Sequence, residues 1–222
     1  MRSYKQYCPA ARALDVVGER WTLLVIRELL TGAKRYTDLQ DGLPGIGPNV
    51  LAERLRSLES AGLVEKRRLP PPAASTVYEL TELGAGLEPV LNSLFQWGMQ
   101  LTRAPGKGEA VKASYWLPAI RQAARPRVLP KKVDDTYEFR VGDESLVVTA
   151  SRGQVEVTPG TAASPDLVLT TDHETFAGLG RGALTPLEAI EQGRLSVEGD
   201  PEAAGRCAAL FGVARASADG GT

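Results

Sequence analysis

Residues 48–62, PNVLAERLRSLESAG, decide how the first half of the chain is read. Pro48 opens a helix, where its missing N–H costs nothing, and Gly62 stops it. Leu51, Leu55 and Leu58 fall at i, i+4 and i+7 and make one buried stripe. At about 100° per residue, Asn49, Ala52, Glu53 and Arg56 fall on the opposite side. Upstream, Thr37 is placed to cap a short helix through Asp38, and Leu43-Pro-Gly-Ile-Gly47 closes that helix with a turn. A short helix, a turn and a second helix with a polar outer side describe a helix-turn-helix. Asn can bond adenine at two points in the major groove, and Arg can do the same with guanine. Ala52 is small enough to let the helix approach. On spacing alone, the outer helix of a helical bundle fits equally well.

The residues that follow favour the first reading. Leu63-Val-Glu-Lys-Arg-Arg-Leu69 is strand-like, Pro70 to Ser75 is a loop, and Thr76-Val-Tyr-Glu-Leu80 is a second strand. That is a hairpin, a wing, directly after the candidate recognition helix. Lys66, Arg67 and Arg68 lie on it, and Lys34 and Arg35 lie just before Thr37. Cations in such places neutralise phosphates and position a protein without reading sequence. A solvated, Lys-protected strand edge would explain the three-residue run alone, but not the whole order of elements.

Working outward, residues 9–17 suit a short helix with Pro9 in its first turn. Residues 20–31 are apolar around most of their circumference and predict a central buried helix closed by Gly32. Residues 84–103 predict a last helix with a stripe of Leu87, Leu91, Leu94, Gly98 and Leu101, and with Phe95 and Trp97 beside it. A long apolar helix outside a small winged core needs a partner, and the same helix of a second copy is the expected one. Such a homodimer would place two recognition helices about 34 Å apart, or a multiple of that, on an inverted repeat of double-stranded DNA.

The chain has 222 residues, 43% hydrophobic and 24% charged, the balance of an ordinary globular protein. No apolar run reaches the roughly 20 residues that span a bilayer, and no signal-peptide core follows Met1, so the expected place is the cytoplasm and no membrane partner is expected. Two cysteines, Cys8 and Cys207, and one histidine, His173, weigh against a disulfide framework, a zinc site and histidine-rich catalysis. His173 reads as a surface residue and Cys207 as packing on a helix face. No phosphate-cradling or dinucleotide fingerprint is present. The expectation is therefore a protein that is not an enzyme, with no cofactor and no metal. Residues 1–103 carry 13 Lys and Arg against 11 Asp and Glu, whereas residues 104–222 carry 13 against 16. That asymmetry is small and suggests two modules.

Pro105, Gly106 and Gly108 mark a break in composition, and a second loose stretch lies at 125–130. Between them, 109–124 reads as a connecting helix with Tyr115, Trp116, Leu117 and Ile120. Strands are expected around Thr136–Val141, Leu146–Thr149, Gln154–Val157, Leu167–Thr170 and Arg194–Glu198. Tyr137, Phe139 and Val141 share one face. Asp172, Thr185-Pro186 with Glu188, and Asp200-Pro201 each open a helix. The tail from Ala214 is expected to fray. The fold class is α+β: a winged helix-turn-helix domain, then an α/β domain of about five strands covered by helices. The expected boundaries are 1–103 for the DNA-binding and dimerisation domain, 104–130 for the connector and 131–215 for the second domain.

Two resemblances sharpen this. Cys8-Pro-Ala-Ala-Arg-Ala-Leu-Asp-Val-Val-Gly-Glu-Arg-Trp21, Arg35-Tyr-Thr-Asp-Leu39, Leu43-Pro-Gly-Ile46 and Leu51-Ala-Glu-Arg-Leu-Arg-Ser-Leu58 resemble the HxlR family of bacterial winged-helix regulators over about residues 7–101. The resemblance implies homodimers that bind operator DNA, usually as repressors and sometimes as activators. Some members sense oxidants or electrophiles through the cysteine corresponding to Cys8, and a helix N-terminus can lower a thiol pKa; a small buried residue is the plainer reading. Where the family often has a Ser or Thr cap and a basic residue, this chain has Gly47 and Asn49, so the operator sequence does not transfer. Pro165-Asp-Leu-Val-Leu-Thr-Thr-Asp172 and Ala189-Ile-Glu-Gln-Gly-Arg-Leu-Ser-Val-Glu-Gly-Asp-Pro201 resemble the sterol carrier protein type two fold over about 131–212. That resemblance implies an apolar cavity for a hydrophobic small-molecule effector. Its expected lining is Phe139, Leu146, Phe176, Leu179, Leu187, Ile190 and Phe211, each of which would serve equally as core. The reading that results is a repressor tuned by such a ligand. The alternatives are a Cys8 thiol sensor, or a lipid carrier with vestigial DNA binding.

Overall fold

The computed structural model describes residues 3–72, 74–124 and 133–212. The loose stretch expected at 125–130 and the tail from Ala214 lie outside the described residues. The chain forms two compact units, Met1–Leu94 and Phe95–Thr222.

In the first unit, α1 (Pro9–Val17), α2 (Thr22–Leu29), α3 (Tyr36–Gly42) and α4 (Pro48–Ser60) precede a hairpin of β1 (Val64–Arg68) and β2 (Thr76–Leu80). The apolar spacing of the sequence explains the core. Val25, Ile26 and Leu29 of α2, Leu39 of α3 and Leu51, Leu55 and Leu58 of α4 close on one another and are almost fully buried. The hairpin is antiparallel, with Lys66 opposite Tyr78 and Arg67 opposite Val77.

Three local expectations are corrected here. The central helix begins at Thr22, not residue 20, because Trp21 adopts a left-handed conformation with φ of 77°. Thr37 does not cap α3, which starts at Tyr36; the Arg35 backbone N–H instead donates to the Asp38 carboxylate at 2.9 Å. The helix expected at 84–103 is two helices, α5 (Glu82–Ala85) and α6 (Glu88–Met99). Thr81 caps α5 by accepting from the Gly84 N–H at 3.2 Å. Gly84 packs so closely on the hairpin start that a Cβ there would collide with the Leu63 carbonyl.

In the second unit, a 3-10 turn at Ala113–Trp116 runs into α7 (Leu117–Ala123). The helix expected from 109 is therefore shorter. Lys112 stays extended, and the first turn is capped from elsewhere in the fold: Glu144 accepts from the Ala113 N–H and, at 2.9 Å, from the Ser114 hydroxyl. β3 (Asp134–Val141), β4 (Glu144–Ser151), β5 (Gln154–Pro159), β6 (Leu167–Thr171) and β7 (Leu195–Gly199) form one sheet in the order β5-β4-β3-β6-β7. Only β3 and β6 run parallel. α8 (His173–Gly180), α9 (Pro186–Glu191) and α10 (Pro201–Leu210) complete the unit, with caps from Asp172, Thr185 and Asp200 as the sequence predicts.

Period-two alternation puts Tyr137 and Val141 of β3, Leu146 and Val148 of β4, Val157 of β5 and Leu167 of β6 on one face, where they pack with Leu117 of α7 and with Ala203, Cys207 and Leu210 of α10. The other face carries Thr136, Glu138 and Arg140 of β3 with Val147 and Val168 on either side of Glu138, and alternation does not predict that Glu138 is only 1% exposed. The connection from β5 to β6 crosses that face, and the Ala162 N–H donates to the Glu138 carboxylate at 3.0 Å. Arg140 donates to the same carboxylate at 2.7 Å, and together these bonds hold it below the usual carboxylate range against the opposing effect of burial.

Candidate nucleic-acid interface

The N-terminus of α4 is positioned by a contact that sequence reasoning missed. The Tyr36 hydroxyl, from the first residue of α3, donates to the Pro48 carbonyl at 2.7 Å and so sets the two helices of the motif against each other. Pro48, Asn49, Glu53 and Arg56 are exposed and Ala52 is half-buried, so the outer face inferred from the period stands free. Glu53 accepts from Arg54 at 2.6 Å, and among the described residues Arg56 reaches the Ala52 carbonyl of its own helix, at 3.3 Å, and no carboxylate.

Lys34 is tied to the wing through its backbone. Its N–H donates to the Tyr78 carbonyl at 3.0 Å, and its carbonyl accepts from the Tyr78 N–H at 2.8 Å. Arg35 and Thr37 are exposed beside it. On the wing the three cations differ. Lys66 lies 3.4 Å from Glu59 and 5.2 Å from the centre of the Tyr78 ring. Arg67 makes a two-point pair with Glu79, Nε to Oε1 at 2.6 Å and Nη2 to Oε2 at 2.8 Å. Arg68 is exposed and has no carboxylate partner among the described residues. Hydrogen bonding and charge at the Arg67 pair hold the Glu79 carboxyl below its ordinary value.

Two further features of the first unit bear on function. An open apolar groove of about 690 Å³ runs between α1 and α5, lined by Val16, Val17, Leu63, Leu83 and Leu87 among others. Leu83, Val90 and Leu94 nearby are 65%, 51% and 45% exposed. Cys8 is the residue before α1; it is half-buried and its thiol is free.

In the second unit, the apolar residues expected to line a cavity divide. Leu146 is buried, and Phe139, Phe176 and Phe211 are half-buried in the same cluster. The Phe139 and Phe211 rings meet edge-on at 5.7 Å. Leu179 is half-buried outside that cluster. Leu187 and Ile190 are corrected: α9 turns them outward, and they are 49% and 45% exposed. Trp116 lies edge-on to Phe176 at 6.5 Å, over Gly180, where a Cβ would lie 2.7 Å from the ring.

Cys207 is buried, and burial followed by the nearby Asp135 charge pushes its thiol up to about 12, so it is inert at neutral pH. Asp135 is a buried carboxylate that the sequence reading did not single out. Burial alone would raise its pKa, but bonds from Arg206 (2.6 and 3.0 Å) and from the Tyr137 hydroxyl (2.7 Å) outweigh burial and hold it low. His173, expected at the surface, is half-buried there. It is 27% exposed, its Nε2 lies 3.0 Å from Asp143, and its Nδ1 is buried with no partner among the described residues. Among the described residues, no cluster of His, Cys, Asp and Glu could hold a metal ion, and no helix is long and apolar enough to cross a membrane.

Polar recognition helix, basic hairpin and apolar flank are together those of a winged-helix DNA-binding protein. The chain belongs to the HxlR-like helix-turn-helix family, whose model matches residues 16–105, and its second half carries a domain of the SCP-2 sterol transfer family, matched over residues 119–212. The HTH-type transcriptional regulator YvaP of Bacillus subtilis is 32% identical over 96 residues, which cover 43% of this chain and 89% of that protein. The HTH-type transcriptional regulator YodB of the same organism is 36% identical over 94 residues, 42% of this chain and 84% of its own. The HTH-type regulator Rv3095 of Mycobacterium tuberculosis is 39% identical over 101 residues, 46% of this chain and 63% of its own. The solved reduced form of YodB aligns over 46% of this chain and 100% of that one, at 33% identity and a TM-score of 0.39. These relatives are named as transcriptional regulators, not enzymes, and the chain is accordingly a DNA-binding transcriptional regulator with a sterol-carrier-type domain attached.

Proposed function

We propose that the chain works as a homodimeric repressor on an inverted-repeat operator and that a hydrophobic small molecule in its second domain tunes it. Its domains on this reading are 1–103 for DNA binding and dimerisation, 104–130 for the connector and 131–215 for the ligand. The observation that carries the proposal is the division of α4: Leu51, Leu55 and Leu58 are buried while Asn49, Glu53 and Arg56 stand free. Asn49 and Arg56 read base edges, and Ala52 lets the helix sink into the groove. Pro48 and Glu53 flank these contacts. Arg68, Lys34 and Arg35, with Thr37 beside them, meet phosphates first, and Lys66 and Arg67 follow. The apolar groove beside Leu83 receives the second copy. Phe139, Leu146, Phe176 and Phe211 offer an apolar surface to the effector. A ligand of this kind acts only if it binds the operator-competent and operator-incompetent states unequally.

Footprinting on DNA upstream of the chain's own coding region, repeated with a panel of acyl and sterol-like ligands, tests the whole reading. Arg56→Ala is expected to weaken operator binding by about 1–3 kcal/mol and to relax sequence preference at one position. Protection that no ligand alters removes the effector, and Arg56→Ala binding like the wild type removes the recognition role.

A second reading rests on Cys8, whose free, half-buried thiol stands at the start of α1 while Cys207 lies in a core. In it the chain releases DNA when the Cys8 thiol is oxidised or alkylated. Cys8→Ser that keeps the full oxidant response eliminates this reading.

A further inference from the structure

The wing holds a built-in competitor for DNA. Arg67 is engaged by both carboxylate oxygens of Glu79, at 2.6 and 2.8 Å, the same two-point geometry in which a guanidinium grips two phosphate oxygens. Lys66 is held in a looser way between Glu59 and the Tyr78 ring. Within the hairpin Glu65 faces Glu79 directly across the ladder, so Arg67 also relieves a like-charge pair. Two of the three wing cations are thus answered by nearby carboxylates, Lys66 by Glu59 and Arg67 by Glu79, and Arg68 has no carboxylate partner among the described residues. Arg67 is half exposed and Glu79 is 24% exposed, so the pair sits in water, where such pairs are weak and readily exchanged.

We propose that Glu79 is an affinity-limiting residue of the DNA interface: it occupies Arg67 in the free protein, and the phosphodiester backbone has to displace it. The inference rests on the DNA-binding reading above and adds to it which wing contacts are costly. Arg68 engages the backbone without breaking a pair. Arg67 engages it only by releasing Glu79, whose carboxylate then stays close to the phosphate and repels it. The wing therefore contributes less than three cations suggest, which keeps binding to arbitrary duplexes weak while leaving base contacts from α4 untouched. Specificity improves when the sequence-independent part of the affinity is small.

The test is a double-mutant cycle on the full chain: wild type, Glu79→Gln, Arg67→Ala and the double variant, each titrated on a duplex of arbitrary sequence from low to physiological salt. Thermal unfolding of each checks that the hairpin is intact. Glu79→Gln is expected to bind about three- to ten-fold tighter, with a log K against log salt slope steeper by about 0.9 per freed cation. Arg67→Ala is expected to change little, and the gain from Glu79→Gln is expected to vanish in the double variant. Two results overturn the proposal: Glu79→Gln binding like the wild type, or an equal gain with and without Arg67, which is the signature of net charge alone. A wild-type chain that ignores duplexes at low salt overturns both the proposal and the DNA-binding reading, whereas a wild type that binds while Glu79→Gln changes nothing overturns the proposal alone.

Discussion

Arg206 shows how one side chain can decide the fate of a domain. Its guanidinium makes two bonds to the buried Asp135 and lies 3.4 Å from Asp200, which ties α10 to the first strand of the sheet. Removing it leaves a carboxylate that is 6% exposed with only the Tyr137 hydroxyl as donor. Arg206→Ala is expected to destabilise the second unit by about 2–3 kcal/mol, because a charged buried group loses its main partner. The pH dependence has a definite sign. The folded pKa of Asp135 lies below its unfolded value. The stability it contributes is therefore present above the unfolded carboxylate range and is lost as pH falls through the depressed folded value. In Arg206→Ala burial is opposed by the Tyr137 hydroxyl alone, the folded pKa rises, and this pH-linked contribution shrinks or reverses. Urea midpoints measured from pH 3 to 7 for both proteins check this; parallel curves would show that Asp135 does not carry the effect.

At the scale of elements, the close approach of α5 to the hairpin is the most demanding piece of packing. A Cβ at Gly84 would overlap the Leu63 carbonyl, which is backbone and cannot swing aside. Gly84→Ala has a helix-forming residue in its favour, yet it is expected to cost about 1–3 kcal/mol by overpacking, seen as a lower unfolding midpoint of the first unit. An unchanged midpoint would mean that α5 can lift off the hairpin freely. The same position shows what was legible in the sequence. Helices and strands with their own period, such as the Leu51, Leu55 and Leu58 stripe or the Tyr137 and Val141 face, could be read directly. So could caps made within four residues, as at Asp172, Thr185 and Asp200. What could not be read depends on residues far away in sequence. The helix at 84–103 breaks to let α5 pack on Leu63, the turn at Ala113 takes its cap from Glu144, and Glu138 is buried by a connection that reaches over the sheet. The candidate interface follows the same rule. Its residue types and their order were visible, whereas the pairing of Arg67 with Glu79 and the Tyr36 bond to Pro48 needed the fold.

For the molecule as a whole, the open question with most leverage is what covers the apolar flank of the first unit. Leu83 is 65% exposed on α5, beside Val17 and Leu87 in the groove, and a protein that left such a surface in water would be prone to stick. A second copy meeting it about a two-fold axis would bury each such residue twice. Fully burying a leucine contributes roughly 1.5–3 kcal/mol, and burying the exposed 65% of Leu83 about 1–2 kcal/mol, so two symmetric copies contribute about 2–4 kcal/mol to association. Leu83→Glu should remove that contribution and place two carboxylates where the copies meet. The dimer dissociation constant is then expected to rise about 100-fold, since each 1.4 kcal/mol is a factor of ten. Light scattering across a dilution series reads the change directly. Operator affinity should fall with it, because a single recognition helix grips one half-site only, while the unfolding free energy of the dissociated monomer should stay within about 0.5 kcal/mol of the wild-type monomer's, as expected for a surface substitution. A Leu83→Glu chain that still dimerises at the wild-type concentration would show that another surface joins the copies and that the groove serves something else.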